Sequence, residues 1–293
     1  MLSPEIIKQI KNIQLKAGHL TTDAMVGEYS SAFKGLGQEF DKVREYFIGD
    51  DVRAIDWNVT ARTNAPHVKV YREERELTLM LMVDVSPSQR FGSQGRFKQE
   101  IAAELAAILA FLATKNNDKV GLIVFSDHVE QFISPQKGRA HVWNIIRSVL
   151  THKSKGQKTD IDGALNYFMQ VWKRKSMCFL ISDFESENYQ RSMQLVSKKH
   201  QFICALIKDL RESQLPNCGL VEFQDSETGK ILTVDTGNPK VRKSFQDRAE
   251  KEWNDLHSFF KKNRIDFLNL DTQHSIVNPL IKFFKQRERR FGK

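Results

Sequence analysis

The chain has 293 residues, 40% hydrophobic and 28% charged, a balance that supports a sizeable core and excludes a disordered, collagen-like or coiled-coil chain. Its 45 basic and 36 acidic residues give a formal charge of +9, which raises a nucleic-acid reading, yet residues 238–293 alone hold 14 basic and seven acidic residues, so the excess is local. Three cysteines, Cys178, Cys204 and Cys218, form no CxxC pair, which argues against a disulfide scaffold and fits a reducing compartment.

Ser3-Pro4-Glu5 is a helix start, with Ser as N-cap and Pro at the first helical position, and Ile6, Ile7, Ile10 and Ile13 continue it as a packing stripe. Lys8, Lys11 and Lys16 break this apolar run, so it reads as neither signal peptide nor anchor. Residues 24–77 are punctuated by glycine and predict short strands, turns and one helical turn, without a core of their own.

From Leu77 the pattern alternates. LTLMLMVDV, DKVGLIVFSD, SMCFLISD and FICALIKD are short apolar runs expected of strands buried on both faces, and HVEQFISP reads as an edge strand. Helices are predicted over FKQEIAAELAAILAFLATKN, 138–151, 160–173 and SENYQRSMQLVSKK. A hairpin over 219–235 turns around Glu227-Thr228-Gly229, and a long helix from about Asn238 to Asn263, a last strand IDFLNLD and a helix over 275–290 follow. Alternating strands and helices imply a mostly parallel sheet with helices on both faces, whose ligands collect at the strands' carboxyl ends. No stretch approaches the roughly 18 apolar residues of a membrane span, so the expectation is a soluble cytoplasmic protein with no membrane insertion.

Those carboxyl ends carry the chemistry. The first strand ends in Asp84-Val85-Ser86-Pro87-Ser88, the fourth in Ser182-Asp183, and Thr159 lies in the loop before a helix. Asp160 and Asp162 beside it read as first-turn helix acids. Thr159 is open to a second reading as the N-cap of that helix.

D-x-S-x-S after a buried strand, a distant Thr before a helix and a distant Asp after another strand resemble the metal-ion-dependent adhesion site of von Willebrand factor A domains, over roughly residues 77–293. The fold this implies is α/β, von Willebrand factor A-like (Rossmann-like), with a mostly parallel sheet flanked by helices. The resemblance implies that Ser86 and Ser88 contact a divalent ion directly and Thr159 directly or through water. Asp84 and Asp183 would act through water or by orienting the hydroxyls. Mg²⁺ or Mn²⁺ suits such oxygen donors, and neutral hydroxyls leave the ion electrophilic enough to recruit a partner's Asp or Glu.

Upstream, Arg44-Glu45-Tyr46 precedes Gly49-Asp50-Asp51-Val52-Arg53-Ala54-Ile55-Asp56-Trp57 and then Ala61-Arg62, with Gly35-Leu36-Gly37-Gln38-Glu39-Phe40 before them. This order resembles the bacterial family catalogued as domain of unknown function 58, and the chain is similar to its short members without membrane helices. Residues 1–76 are accordingly a small N-terminal α+β extension and 77–293 the A-type domain. The resemblance implies no enzymatic activity and a partnership with MoxR-type AAA+ ATPases. For Arg44, Glu45, Asp50, Asp51, Arg53, Asp56 and Arg62 the favoured expectation is a semi-buried ion-pair network pinning the extension to the domain, with Trp57 as its apolar anchor. The alternative is a partner-docking surface. Gly35-x-Gly37 reads as a turn, because no phosphate-loop Lys-Ser/Thr follows.

The expected function is therefore non-enzymatic, metal-dependent binding of a protein that presents an acidic residue. A metal-dependent phosphotransfer or hydrolase enzyme at the same edge is the alternative, with Asp84, Asp183 and Lys208 faintly like a receiver triad. A dehalogenase-type phosphatase would need an acid where Ser86 stands. His128, His141, His152, His200 and His257 lack a nucleophile-elbow context. Nucleic-acid binding is the other alternative. No zinc, RNP-like or helix-turn-helix motif supports it, and the basic residues of the last helices, Arg287, Arg289 and Arg290 among them, read as a solvated face.

Overall fold

A computed structural model describes residues 22–33, 38–73, 77–93, 95–225 and 229–291. The expected first helix, Gly35 to Gly37 and Glu227-Thr228 of the hairpin tip lie outside these residues. The alternating segment folds as β3 (Thr78–Asp84), α3 (Lys98–Lys115), β4 (Lys119–Phe125), β5 (Val129–Gln136), α4 (Arg139–Thr151), α5 (Ile161–Val171), β6 (Met177–Ser182), α6 (Gln190–Lys199) and β7 (Gln201–Lys208). The hairpin β8 (Leu220–Gln224) and β9 (Ile231–Asp235), α7 (Pro239–Lys262), β10 (Asp266–Asp271) and α8 (Val277–Phe291) complete it. Before them come α1 (Asp23–Phe33), β1 (Gln38–Glu45), α2 (Trp57–Thr63) and β2 (His67–Glu73).

Six strands form one sheet in the order β10-β7-β6-β3-β4-β5, all parallel except edge strand β5, which runs antiparallel to β4. The chain starts at the centre with β3, builds outward through β4 and β5, then crosses back and builds outward the other way from β6. Order therefore reverses between β3 and β6, which makes their carboxyl ends the topological switch point. This is the α/β, von Willebrand factor A-like architecture expected from the sequence.

Period-two alternation divides β3 between two cores. Leu79, Leu81 and Val83 face α1, α3, α4 and α8, whereas Met80 and Met82 face α5, α6 and α7. Each such fully buried side chain contributes about 1.5–3 kcal/mol. Helix α3 is buried nearly all round, and Ala102, Ala103, Ala106, Ala107, Ala110 and Ala113 keep it thin enough to sit between its neighbours.

One expectation for the N-terminal segment is corrected. Residues 23–33 make three turns of helix, not one, and Met25, Tyr29, Ala32 and Phe33 bury completely in the main core. Gly27 and Ser30-Ser31 weaken the local signal, so this helix is made by burial on α8 and α3. The Tyr29 hydroxyl donates to Asp118 Oδ2 at 3.2 Å, and Asp118 Oδ1 accepts the Leu77 N–H at 3.0 Å. A member of the extension is thus part of the α/β core. Among the described residues no helix is long and apolar enough to cross a membrane.

Candidate functional site

Asp84 ends β3 one step beyond the Val83–Ile181 pair, beside the end of β6. Its Oδ1 accepts the Ser86 N–H at 2.9 Å, which folds the chain back at once. Pro87 then opens a short 3₁₀ turn, Pro87–Arg90, with Ser88 on it. The result is a compact knuckle in which the Ser86 and Ser88 hydroxyls lie 3.1 Å apart, both buried. From β6, the Ser182 hydroxyl donates to Asp84 Oδ2 at 2.6 Å, and Asp183 Oδ2 accepts from the Ser88 hydroxyl at 2.8 Å. Phe184 follows in the left-handed region at φ 63, a conformation costly for a bulky residue. It turns the chain sharply and seats its ring against Tyr189 and Phe260.

Thr159 reaches the same edge through its neighbours. The Asp160 N–H donates to the Ser126 carbonyl at 2.7 Å, and the Ser186 hydroxyl donates to the Thr159 carbonyl at 2.9 Å. The N-cap of α5 is Asp160, which accepts the Gly163 N–H at 2.9 Å, and not Thr159. Asp162 accepts hydrogen bonds from Ser192 and Asn166.

Residues the sequence reading passed over complete the site. Lys98, fully buried, donates from Nζ to Asp183 Oδ2 at 2.6 Å and to Glu212 Oε1. Lys98 opens α3, where the helix dipole disfavours a cation, and that misplaced charge was the available signal of buried acids nearby. Glu212 closes the 3₁₀ turn Leu210–Glu212, and its Oε2 accepts the Asp209 N–H at 2.8 Å. Asp209 is itself a hub: it accepts from Ser93 N at 2.9 Å, Ser93 Oγ at 2.5 Å, Arg211 N at 2.8 Å and Thr272 Oγ1 at 2.5 Å. Asp183, Glu185 and Glu212 bring carboxylate oxygens within 4.8 Å of one another.

The charges do not balance. Burial, then the charge of Asp183, pushes Asp84 up to about 7. Desolvation and Asp183 likewise raise Glu185 to about 7, although Glu185 stands exposed at the rim, where water moderates the effect. Burial alone would lower Lys98, but the charges of Asp183 and Glu212 outweigh it and hold the ammonium firmly protonated. Lys98 thus faces three acids, Asp183, Glu212 and Glu185, while Lys208 also acts on Glu185. Buried Gln89 has its Oε1 without a hydrogen-bond partner among the described residues, while its Nε2 is 3.5 Å from Asp84 Oδ2. Hydroxyls, hard carboxylates and an orphaned amide oxygen fit a small divalent cation, and Ser86, Ser88, Asp84 and Asp183 are the residues that would hold it.

The Lys208 ammonium lies over the Trp253 ring at 5.3 Å. His128, His141, His152, His200 and His257 bond to Asp127, the Val120 carbonyl, Glu130, Ser176 and Asn269 respectively.

Residues 44–62 belong to an arm built on the antiparallel pair β1–β2. Arg44 grips Asp50 with two bonds of 2.7 Å, which pulls the Asp50 carboxyl down to about 2. Tyr46 N–H donates to the Pro66 carbonyl at 2.9 Å. Asp51 caps the turn Val52–Ala54 and pairs with Arg53 at 3.3 Å, and Asp56 caps α2 and faces Lys69 at 3.6 Å. Glu45 and Arg62 are exposed. The expected network pinning the extension to the domain is therefore corrected: these ion pairs close within the arm and shape it. Trp57 is no buried anchor either, being 69% exposed in company with Phe47, Ile48 and Val52. Asp51 caps the turn that carries Val52, and Asp56 caps the helix that Trp57 opens.

The protein is similar to the uncharacterized protein Rv1480 of Mycobacterium tuberculosis, 27% identical over 289 residues that cover 98% of this chain and 91% of that one. Among solved structures it resembles the conserved hypothetical protein BatB of Bacteroides thetaiotaomicron, with 16% identity and a TM-score of 0.46 over 73% of this chain and 99% of that one. The SpRpn10 VWA domain matches with 10% identity and a TM-score of 0.37 over 70% and 93%. The family model described as "Protein of unknown function DUF58" matches residues 42–255, from within the β1–β2 arm to α7, and the chain belongs to that family.

Proposed function

We propose that this protein is a non-enzymatic adaptor that binds a protein partner through a divalent cation, Mg²⁺ or Mn²⁺, held at the β3–β6 switch point, and that it acts with a MoxR-type AAA+ ATPase. The observation that carries the reading is the meeting of the Ser86 and Ser88 hydroxyls with the buried carboxylates of Asp84 and Asp183. Ser182 and the Ser86 N–H fix Asp84, and Asp183 orients Ser88, so the donors are set before any ligand arrives. A bound divalent ion would supply an open position for a partner's carboxylate. Thr159, half-buried on the same edge, completes the proposed set. The exposed Phe47, Ile48, Val52 and Trp57 of the arm support a protein-binding role as apolar contact residues.

Calorimetric titration of Mg²⁺ and Mn²⁺ tests the reading. Heat with the wild type and none with Ser86→Ala/Ser88→Ala supports it, and an absence of heat with the wild type overturns it. Capture of a MoxR-type ATPase that is lost on adding a chelator tests the partnership. Release of phosphate from an aryl phosphate, abolished by Asp84→Ala, would replace the adaptor reading with an enzymatic one.

A further inference from the structure

We infer that Lys98 is a displaceable counter-ion that guards the carboxylates of this site, so that a divalent cation loads only as the ammonium withdraws from Asp183 onto Glu212. The inference rests on the metal-binding reading above and adds its regulation. Asp183 Oδ2 is the oxygen that orients Ser88, and the Lys98 ammonium sits on that same oxygen. A cation held by Ser88 and Asp183 would therefore meet a positive charge among side chains that are themselves buried, where like charges repel more strongly than in water.

The lysine has somewhere to go. Glu212 Oε1 already accepts from Nζ, and Glu212 is held in place through Oε2 by the Asp209 N–H. Asp209 is in turn fixed by Ser93, Arg211 and Thr272. The Lys98 backbone is fixed as well, its N–H donating to the Phe91 carbonyl at 3.0 Å. Only the four-carbon stem needs to move, and the ammonium keeps one carboxylate throughout. The site thus has two arrangements in which Asp183 and Glu212 each keep a cation: one with Lys98 shared between them, the other with Lys98 on Glu212 and the divalent cation on Asp183.

An ion pair that only supports the fold predicts something different. Removing its lysine would weaken the protein and leave metal affinity unchanged or lower. The test is Mn²⁺ binding followed by the electron paramagnetic resonance of the unbound ion, with thermal melting in parallel. For Lys98→Met we expect Mn²⁺ to bind at least about tenfold more tightly than to the wild type. Its melting midpoint should fall below the wild type without metal and recover on adding Mn²⁺. Adding Ser86→Ala/Ser88→Ala to Lys98→Met should abolish the gain. Lys98→Gln, which retains a donor toward Asp183, gives the same comparison if the methionine variant does not fold. Equal or weaker Mn²⁺ binding by the lysine variants, with the wild type binding, overturns the guard and leaves the metal site standing. A gain that survives the serine substitutions places the ion elsewhere and also overturns it. No binding by any of these proteins removes the metal reading itself.

Discussion

Arg287 offers a direct test of how the N-terminal helix is held. Its side chain is only 4% exposed. Nε donates to the Ala32 carbonyl at 3.2 Å, Nη1 to Asp266 and Nη2 to Gln201 Oε1, and the guanidinium stacks over Phe33 with 4.8 Å to the ring centroid. One side chain of α8 therefore joins the C-terminal turn of α1 to β10 and β7. Arg287→Met keeps the apolar stem and removes the fork. Breaking a buried pair by deleting one partner costs about 3–5 kcal/mol. Here Asp266 keeps Arg290 at 2.9 Å and is partly wet, which lowers the expected loss to about 2–3 kcal/mol. Against a total of roughly 5–15 kcal/mol this is a large fraction. Equilibrium urea unfolding at pH 7 measures it, with Arg290→Ala, 68% exposed, as the surface control at under about 0.5 kcal/mol. A loss for Arg287→Met below about 1 kcal/mol, or equal to the control, would refute the assignment of α1 to the core through this residue.

Other outcomes follow from particular contacts. A Cβ at position 92 would collide with the Arg96 carbonyl, so Gly92→Ala should disrupt the loop carrying Ser93 and lower stability by about 2 kcal/mol, read by thermal melting; an unchanged midpoint would count against that loop geometry. Burial alone would raise the Glu130 pKa, but bonds from Ser126, His152, Lys155 and Ser154 outweigh it and hold the carboxyl at about 2. Its stabilisation is complete above the unfolded value near 4.5 and is lost as pH falls through about 2. Glu130→Gln should therefore cost about 2–3 kcal/mol at neutral pH and flatten the acid limb of the stability curve; a parallel acid limb would contradict it. Trp57→Ser should change stability by less than about 0.5 kcal/mol while weakening ATPase capture, whereas a large drop in melting temperature would mean that Trp57 is packed after all.

What could be read in advance follows physical lines. The β3 run LTLMLMV announced a strand buried on both faces because both its alternating sets are apolar, and the order of such runs determined the sheet. Asp84, Ser86, Ser88 and Asp183 were legible because switch-point geometry follows from strand order alone. Lys98 was not, since its meaning depends on Glu212, 114 residues away, and only the fold makes them neighbours. Arg287 looked like part of a solvated basic face for the same reason, its partners Ala32, Gln201 and Asp266 being distant in sequence. Trp57 misled because an aromatic residue among charges suggests an anchor, whereas it opens the helix that Asp56 caps and stands exposed there.

The switch point also sets when the site comes into being during folding. Asp84 and Ser182 stand 98 residues apart, and Ser88 and Asp183 stand 95 apart. Closing such a loop costs chain entropy that only the completed β3–β6 pairing returns, and contacts of this separation form late. A chain still emerging from the ribosome, or one stalled with only β3–β5 assembled, holds Asp84, Ser86 and Ser88 but lacks Thr159 and Asp183. On the proposed reading, ligand competence would therefore be a record of completed folding, and partly folded copies would be silent toward a partner.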